Sequence, residues 1–499
     1  MVNYPDKQNA ATLAQREGTD GMETVSARLE RLPFAKPHRR LLLMGGLGYT
    51  FDAMDGAVLA FILPIVAKEW SLTSVEMGIL ASSTYIGYLF GSLSAGAVGD
   101  VFGRRRIMMS ALAIYSLASL CSAAATGWDL FFWLRVAAGF GMGAEGAIIA
   151  PYLAEFVAAR YRGRFVGQLA GFFSFGFVAA ALLGYLLVPL SSSGWRIVLV
   201  ITALPIFLLL WWRRALPESP RWLAAQGREA EAHTIVTKMQ TEVEALGVKL
   251  LPPALSSAHN QLAMSHAGSL HPLSRLITNL CVLWSGRLAR ITLMMWVTWV
   301  TFIFSYYSFF TWIPSLLVQS GLGITKSFAY SLTIYTAQIP GYFSGAYLND
   351  LWGRRATISL GLILGAVSAL TLALVRTDGL VVLASFSLSL FMNMAAAGLY
   401  AYTSEVFPTR VRATGAGSAS AVGRLGAIAG PIFVGLIAPS FHFVGVFGVT
   451  TLMLAAGAFT VLVLGPRTRG RALEEIENTV LERSAEARAT RLLSETVHQ

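Results

Sequence analysis

The sequence predicts an all-α membrane protein in which twelve transmembrane helices form two pseudo-symmetric six-helix halves. Its 499 residues are 55% hydrophobic and only 13% charged, whereas a soluble chain is about one quarter charged. Twelve apolar runs are long enough to cross a bilayer, which needs about 20 residues of helix. These spans lie at about 41–67, 75–99, 107–125, 128–154, 166–189, 195–212, 290–318, 328–349, 356–375, 380–404, 414–438 and 443–465.

An internal repeat relates the two halves. Asp100-Val-Phe-Gly-Arg-Arg recurs as Asp350-Leu-Trp-Gly-Arg-Arg, a shift of 250 residues. Duplicated halves are one architecture of secondary transporters, in which the substrate lies near the bilayer midplane between the halves. The same shift relates Pro64 to Pro314, Gly91 to Gly341, Glu155 to Glu405, Arg160 to Arg410 and Arg162 to Arg412.

The basic residues cluster in alternate loops between the spans. The net charge of +11 therefore does not indicate a nucleic-acid partner, because this alternation is the bias of cytoplasmic loops. We expect a monomer that lies in the lipid bilayer of a bacterial inner membrane, with both termini in the cytoplasm. The predicted segments are an N-terminal segment at 1–40 with a short amphipathic helix at 22–34, a first bundle at 41–215, a cytoplasmic linker at 216–289, a second bundle at 290–465 and a tail at 466–499.

Span 1 carries two carboxylates, Asp52 and Asp55, near its middle. An Asp at the centre of a membrane helix costs about 2.5–3.5 kcal/mol on insertion scales. Because residues three apart share a face of a helix, we expect both acids to face a polar cavity or a partner cation. They would titrate as a coupled pair, which suits a proton carrier. A static salt bridge is the alternative.

Span 4 carries Arg135 and Glu145, and span 11 carries Arg424. A buried arginine needs a carboxylate or a ligand anion, and its planar fork suits a carboxylate. No acid lies at mid-depth in spans 7–12, so Arg424 is interpreted as a binding residue for an anionic substrate. The alternatives are a pairing of Arg424 within the protein, and a permanent pairing of Arg135 with Glu145 or a backbone carbonyl.

Aromatic and amide side chains supply the rest of the predicted substrate pocket. Rings stack on flat ligands, while phenol and amide groups bind polar atoms. Helix packing is the alternative for any single ring. The candidates are Trp299, Tyr306 and Tyr307 in span 7, Asn393, Tyr400 and Tyr402 in span 10, Gln168 in span 5 and Gln338 in span 8.

The repeated loops are the predicted gating elements. A carboxylate near an arginine and a helix N-terminus can hold two spans together in one conformation, and breaking that contact would let the halves rock. The alternative is positive charge that only sets the topology. The candidates are Asp100, Gly103, Arg104, Arg105, Glu155 and Arg162 in the first half, and Asp350, Gly353, Arg354, Arg355, Glu405 and Arg412 in the second.

Several other function classes find no support. The run Gly141-Met-Gly-Ala-Glu-Gly fits GxGxxG, but it lies in an apolar helix with no preceding strand, so no dinucleotide site is predicted. The sequence has no GxxxxGK phosphate loop, no nucleophile–base set and no metal-ligand spacing around Cys121 or Cys281. We therefore predict neither an enzyme nor a bound metal or cofactor.

Several motifs resemble a known family. GAVGDVFGRRR, which begins at Gly96, is similar to the loop motif of the major facilitator superfamily, and the resemblance extends over residues 36–480. The run from Arg135 to Gly143 and the PESPRWL segment at Pro217 are similar to those of sugar porters and organic-ion transporters. FDAMDGAVLAF in span 1 resembles bacterial metabolite:proton symporters, and among them the niacin transporters, relatives of the synaptic-vesicle and organic-anion families.

The resemblance implies a proton-coupled symporter that works by alternating access. It implies that Arg135 pairs with Asp55, that protonation of Asp55 releases the arginine, and that Arg424 favours anions. We expect uptake of a small aromatic monocarboxylate, with nicotinate as the best candidate. The rivals are another aromatic-acid transporter, a non-transporting sensor, and a sugar or polyol symporter. Arg467 stands where sugar porters usually carry glutamate, which weakens the sugar assignment.

Overall fold

The computed structural model describes residues 24–248, 250, 272–375, 377–408 and 411–466, and every regular element in these ranges is helical. Eight of the described helices are long and apolar enough, by length and composition, to cross a membrane. The predicted order of the spans is retained. Most of the predicted N-terminal segment, part of the linker and nearly all of the tail lie outside the described residues.

Spans 6 and 8 are each split into two helices. Span 6 is interrupted before Ile206, where Pro205 has no backbone N–H to donate, and span 8 is interrupted three residues before Pro340. Spans 1 to 6 are Lys36–Glu69, Ser74–Phe102, Arg104–Ser122, Trp128–Ala154, Ala159–Leu187, and Gly194–Thr202 with Ile206–Ala215. Spans 7 to 10 are Gly286–Gln319, Ile324–Thr336 with Gln338–Leu351, Arg354–Leu374 and Asp378–Val406, and spans 11 and 12 lie within Arg412–Leu464.

Two glycines make the sharp turns at the end of the bundle that carries the loops at 103–106 and 353–355, called here the arginine-rich end. Gly103 between spans 2 and 3 has φ 95°, and Gly353 between spans 8 and 9 has φ 86°. Glycine is the residue that adopts this region without a steric cost from Cβ. The glycines of the sequence repeat therefore correspond to a repeated turn.

Spans 11 and 12 form one helical stretch of 53 residues, Arg412–Leu464. A straight helix of that length would extend about 80 Å, more than twice the hydrocarbon core. The chain instead reverses. Gly435 packs on Ser74 at the end opposite the arginine-rich end, and Arg355 donates to the Leu462 carbonyl at the arginine-rich end. Pro439 lies near the reversal, and proline is a common cause of sharp helix bends.

The two halves contact each other at the end opposite the arginine-rich end. The Ser82 hydroxyl of span 2 donates to the Ile428 carbonyl of span 11 at 2.7 Å. The ring of Phe61 in span 1 packs on Phe328 and Tyr335 of span 8, with centroid separations of 5.4 Å in both pairs. Backbone contact and ring packing together close this end of the interface between the halves.

A methyl group on Gly78 is expected to separate the two halves at this end. A Cβ at Gly78 would lie 2.7 Å from the Pro431 carbonyl oxygen, and a close-packed interface cannot absorb such a clash. We expect Gly78→Ala to raise the labelling of an engineered Ser82→Cys, in a cysteine-free background, by an impermeant maleimide several-fold. Gly448→Ala places its methyl in open space and should leave labelling unchanged. Equal labelling of the two variants would contradict the contact.

A short helix before span 1, Val25–Glu30, lies against the linker helix Glu229–Glu244. The Arg28 guanidinium donates to His233 Nδ1 at 3.0 Å and to the Thr237 hydroxyl at 2.9 Å. The sequence indicated a helix at 22–34 on the inner membrane face. The structure has a shorter helix, and it buries Val25 and Leu29 in a core shared with the linker helix.

Candidate functional site

The two halves enclose a central cavity of about 310 Å³. Its wall is largely aromatic, and Asp52 and Arg424 are its charged side chains. The wall continues to Ala150 and Val166, near the arginine-rich ends of spans 4 and 5. Because the halves meet at the opposite end, access to this cavity is from the arginine-rich end.

Six predicted substrate residues line the cavity and three do not. Trp299 lies behind the wall and donates from Nε1 to the Thr403 hydroxyl at 3.0 Å. Tyr402 donates to the Pro466 carbonyl at 2.8 Å, and Gln168 is exposed. Tyr400 and Tyr402 are two residues apart in span 10, so their side chains point about 200° apart and only Tyr400 faces the cavity. The six that line it are Tyr306, Tyr307, Gln338, Asn393, Tyr400 and Arg424.

Arg424 reaches the cavity from span 11. Its guanidinium carbon lies 4.1 Å from the centroid of the Tyr88 ring, which is a cation–π contact. Within the described part of the chain, no acid forms an ion pair with Arg424. Its planar fork is therefore suited to bind the carboxylate of a molecule in the cavity.

Replacing Tyr88 with leucine is expected to weaken the binding of a carboxylate ligand in the cavity, because the ring that positions the Arg424 guanidinium is lost. A cation–π contact contributes about 0.5–2 kcal/mol, so the Kd should rise roughly two- to thirty-fold. Tyr88→Phe keeps the ring and should retain a Kd close to that of the unsubstituted protein. Equilibrium binding measures both values, and equal losses in the two variants would exclude the ring contact.

Tyrosine and glutamine side chains of spans 7 and 8 form another part of the cavity wall. The Tyr306 hydroxyl donates to Gln338 Oε1 at 3.0 Å. The Nε2 group of Gln338 has no hydrogen-bond partner among the described residues. Tyr85 and Tyr307 meet across the two halves with ring centroids 4.2 Å apart. This wall suits a flat ring that carries a hydrogen-bond acceptor.

The structure separates the two acids of span 1. Asp52 lines the cavity, whereas Asp55 is fully buried within the first half. The sequence indicated that the two acids share one face, directed at a polar cavity or a partner cation; in the structure Asp52 lines the cavity and Asp55 faces the cation Arg135. Residues three apart on a helix differ by about 60° in direction, and here that angle is enough to turn Asp55 away from the cavity and into the helix bundle.

Asp55 and Arg135 form an ion pair between spans 1 and 4. Arg135 Nη1 lies 3.0 Å from Asp55 Oδ2, and both side chains are 0% exposed. The hydroxyls of Ser119 and Thr202 donate to Asp55 Oδ1 at 2.8 and 2.7 Å, and Arg135 donates to Ser119 at 2.8 Å. In this conformation the partner of Arg135 is therefore Asp55 and not Glu145.

Glu145 is a further buried acid, on the face of span 4 that packs on span 1. A Cβ at Gly48, one turn from Asp52, would lie 2.6 Å from Glu145 Oε1. At the same contact between spans 1 and 4, the Tyr49 hydroxyl donates to the Gly146 carbonyl at 3.3 Å. Neither oxygen of Glu145, nor Oδ1 of Asp52, has a hydrogen-bond partner within the described ranges. A buried ionised carboxylate without a partner is costly, so Asp52, the acid that lines the cavity, is suited to carry a proton.

The repeated loops form matching ion pairs in the two halves. Arg104 pairs with Glu155, and 250 residues further Arg354 Nε lies 2.9 Å from Glu405 Oε1. Each pair joins the start of one span to the end of the next. The predicted contact through Asp350 differs, because its side chain is 86% exposed and lies 3.8 Å from Arg354, the first residue of the following span. The side chain of Asp100 lies outside the described part of the structure.

The other predicted gating residues hold backbone groups at the same end. Arg162 donates to the Val157 carbonyl at 3.4 Å, and its repeat mate Arg412 donates to the Phe407 carbonyl at 3.3 Å. Arg355 donates to a carbonyl at the end of span 12. The Arg105 amide donates to Glu218 at 3.2 Å, and Ser219 donates to Glu155, so the PESPRWL segment joins this network.

The 250-residue shift also relates residues of the cavity wall in the first half to residues of the wall in the second half. The signal for Tyr88 was therefore present in the sequence, since its repeat mate Gln338 was a candidate. The same holds for Phe302, whose repeat mate is Asp52. The other tyrosines and phenylalanines of the wall, at Tyr49, Tyr85, Phe173, Phe177 and Tyr342, carried no signal that separates them from packing residues. The repeat pairs that line the cavity on both sides are Asp52 with Phe302, Ala53 with Ile303, Gly56 with Tyr306, Tyr88 with Gln338, Ala150 with Tyr400, and Ser174 with Arg424.

Two repeated six-span halves that meet at one end around a central cavity define a secondary transporter of the major facilitator type. The chain belongs to the sugar (and other) transporter family, whose profile matches residues 17–480. The predicted superfamily and its twelve-helix fold are thereby confirmed, and the members of this family are membrane transporters rather than enzymes.

Three comparisons place the chain within the family. It is 36% identical over 457 residues to the niacin transporter NiaP of Acinetobacter baylyi, covering 91% of this chain and 100% of that protein. It is 25% identical over 412 residues to the benzoate transport protein of the same organism, covering 80% of this chain and 83% of that protein. The xylose transporter XylE from E. coli, in a partially occluded inward-open conformation, has a TM-score of 0.70 at 16% identity, covering 87% and 100% of the two chains.

Proposed function

We propose that this transporter imports a small aromatic monocarboxylate together with protons, and that nicotinate is its substrate. The observation that carries the proposal is Arg424, a cation in an aromatic cavity with no described acid paired to it. The substrate carboxylate would bind the Arg424 fork, and its ring would lie among the tyrosines. The ring nitrogen would accept a hydrogen bond from Gln338 Nε2, which has no described partner. Similarity to a niacin transporter supports this choice.

The acids of span 1 would couple the proton to this substrate. Asp52 lines the cavity and lies one turn from the contact between Gly48 and Glu145, so this pair would take up a proton from the cavity. Asp55 would act as the switch, because protonation cancels its attraction for Arg135 and leaves only neutral hydrogen bonds. An anion that neutralises Arg424 and a proton that neutralises an acid each reduce the cost of a buried charge.

The matched ion pairs at the arginine-rich end would let each half move as one body. Arg104–Glu155 and Arg354–Glu405 tie neighbouring spans of the same half together, so rocking would change contacts between the halves only. This end would face the cytoplasm of a bacterial cell, in keeping with its positive charge. One chain encloses the whole cavity, so a monomer suffices.

A sugar or polyol symporter is the second candidate, because the family profile and the XylE fold include sugar carriers. A sugar has many hydroxyl groups, and burying them requires many hydrogen-bond partners. The cavity supplies hydroxyl, amide and carboxylate partners, but a neutral sugar would leave the Arg424 cation without the counter-charge that the carboxylate of an aromatic acid supplies. An aromatic acid therefore fits better than a hexose.

Uptake competition tests the substrate. Cells that express the protein would take up radiolabelled nicotinate, and unlabelled nicotinate or benzoate in excess should block this uptake. Excess glucose or xylose should leave it unchanged. If hexose blocks uptake and the aromatic acids do not, the sugar candidate holds and the aromatic-acid proposal fails.

A further inference from the structure

A second cavity, of about 320 Å³, lies at the arginine-rich end of the first half. It is bounded by the starts of spans 1 and 3, the end of span 6 and the linker helix Glu229–Glu244. Four basic side chains line it, against one acid, Glu242. They are Arg40, Arg105, Arg214 and Lys238. We call this cavity the basic pocket.

The basic pocket has charged side chains at its mouth and an apolar floor. Arg40, Arg214 and Lys238 are exposed, and none of them forms an ion pair with a described residue. The floor is buried and apolar, formed by Leu41, Met44, Phe156 and Met239. Four cations against one acid repel one another, so an anion with an apolar portion is the ligand that such a pocket favours.

We propose that the basic pocket binds a phosphate-bearing anion. Arginine forks from two different spans match phosphate oxygens in pairs, and a lysine adds a point charge. Basic pockets between spans on the cytoplasmic side are suited to anionic lipid headgroups, while a soluble phosphate compound presents the same chemistry. A bound phosphate joins Arg40 of span 1, Arg214 of span 6 and Lys238 of the linker helix, and so fixes the linker to the first half.

Titration of the purified full-length protein in detergent tests this proposal. The probes are dioleoyl phosphatidylglycerol, dioleoyl phosphatidylcholine and inorganic phosphate, with binding followed by native mass spectrometry and by the thermal unfolding midpoint. One basic residue near a surface contributes about 1 kcal/mol to anionic-headgroup binding, so Arg40→Gln should weaken binding about fivefold. Arg39→Gln removes the same charge from an exposed neighbour outside the pocket and should have little effect. Glu242→Gln should tighten binding.

The titrations with phosphatidylglycerol and with inorganic phosphate distinguish a lipid headgroup from a soluble phosphate compound. Saturable binding of phosphatidylglycerol that inorganic phosphate does not displace assigns the pocket to a lipid headgroup. Binding of inorganic phosphate alone assigns it to a soluble phosphate compound. The proposal is overturned if neither probe binds, or if Arg40→Gln and Arg39→Gln change the affinity equally.

Discussion

Asp55→Asn is expected to abolish proton-driven accumulation of substrate while leaving exchange across the membrane intact. Asp55 Oδ2 binds Arg135, and Oδ1 accepts from Ser119 and Thr202. Asparagine keeps the volume and an acceptor oxygen but can no longer gain or lose a proton. Accumulation driven by a pH gradient in proteoliposomes should fall at least about tenfold, to the level of simple equilibration, and counterflow exchange should persist.

A matched variant separates a coupling defect from a folding defect. Asp55→Asn leaves the Arg135 charge buried without its partner, and breaking a buried ion pair costs about 3–5 kcal/mol. The double variant Asp55→Asn with Arg135→Gln removes both charges and should recover much of that stability, measured as the thermal unfolding midpoint. It should exchange substrate without accumulating it. Normal accumulation by Asp55→Asn would remove Asp55 from the coupling mechanism.

Arg424→Ala is expected to remove the preference of the protein for an acid over its amide. Truncating one partner of a buried charge-assisted contact costs about 2–5 kcal/mol, which corresponds to a roughly thirty-fold or larger rise in Kd. Nicotinamide has the same ring without the charge, so its affinity should change little. The ratio of the two Kd values, measured by scintillation proximity binding, should therefore approach one.

Arg424→Lys provides the control for charge alone. Lysine keeps the positive charge but not the planar fork, so the preference for the acid should be reduced and not lost. Ser174→Ala, at the repeat mate of Arg424 in the cavity wall, should leave the ratio near that of the unsubstituted protein. A loss in Arg424→Ala that is equal for acid and amide would count against a carboxylate contact.

The fold was predictable because it depends on long periodic features. Twelve apolar runs and the 250-residue repeat do not depend on the direction of any one side chain, and the Gly103 and Gly353 turns and the Arg104–Glu155 and Arg354–Glu405 pairs follow the repeat. The internal breaks of spans 6 and 8 were less predictable, because each of these spans is one apolar run in the sequence. The gap between the runs at 414–438 and 443–465 did mark the reversal near Pro439, although helical hydrogen bonding continues through it.

The site was only partly predictable, because a cavity depends on where each side chain points. Charged groups in apolar spans stood out as candidates, since burial of Arg135, Asp55 or Glu145 demands an explanation in any fold. Asp52 lines the cavity and Asp55 forms an internal ion pair because their side chains differ by about 60° in direction. A linear sequence pattern does not resolve that difference. The sequence does not distinguish a ring that lines the cavity, such as Tyr85, from a ring that lies behind it, such as Trp299.

Accumulation in proteoliposomes under an imposed pH gradient, alkaline inside, shows whether an aromatic acid moves with protons. Protein-free liposomes correct for passive entry of the neutral acid. Radiolabelled nicotinate should rise transiently above the level in protein-free liposomes, and a protonophore should remove this excess. An internal level that follows the protein-free liposomes, with or without the gradient, would contradict proton-coupled transport.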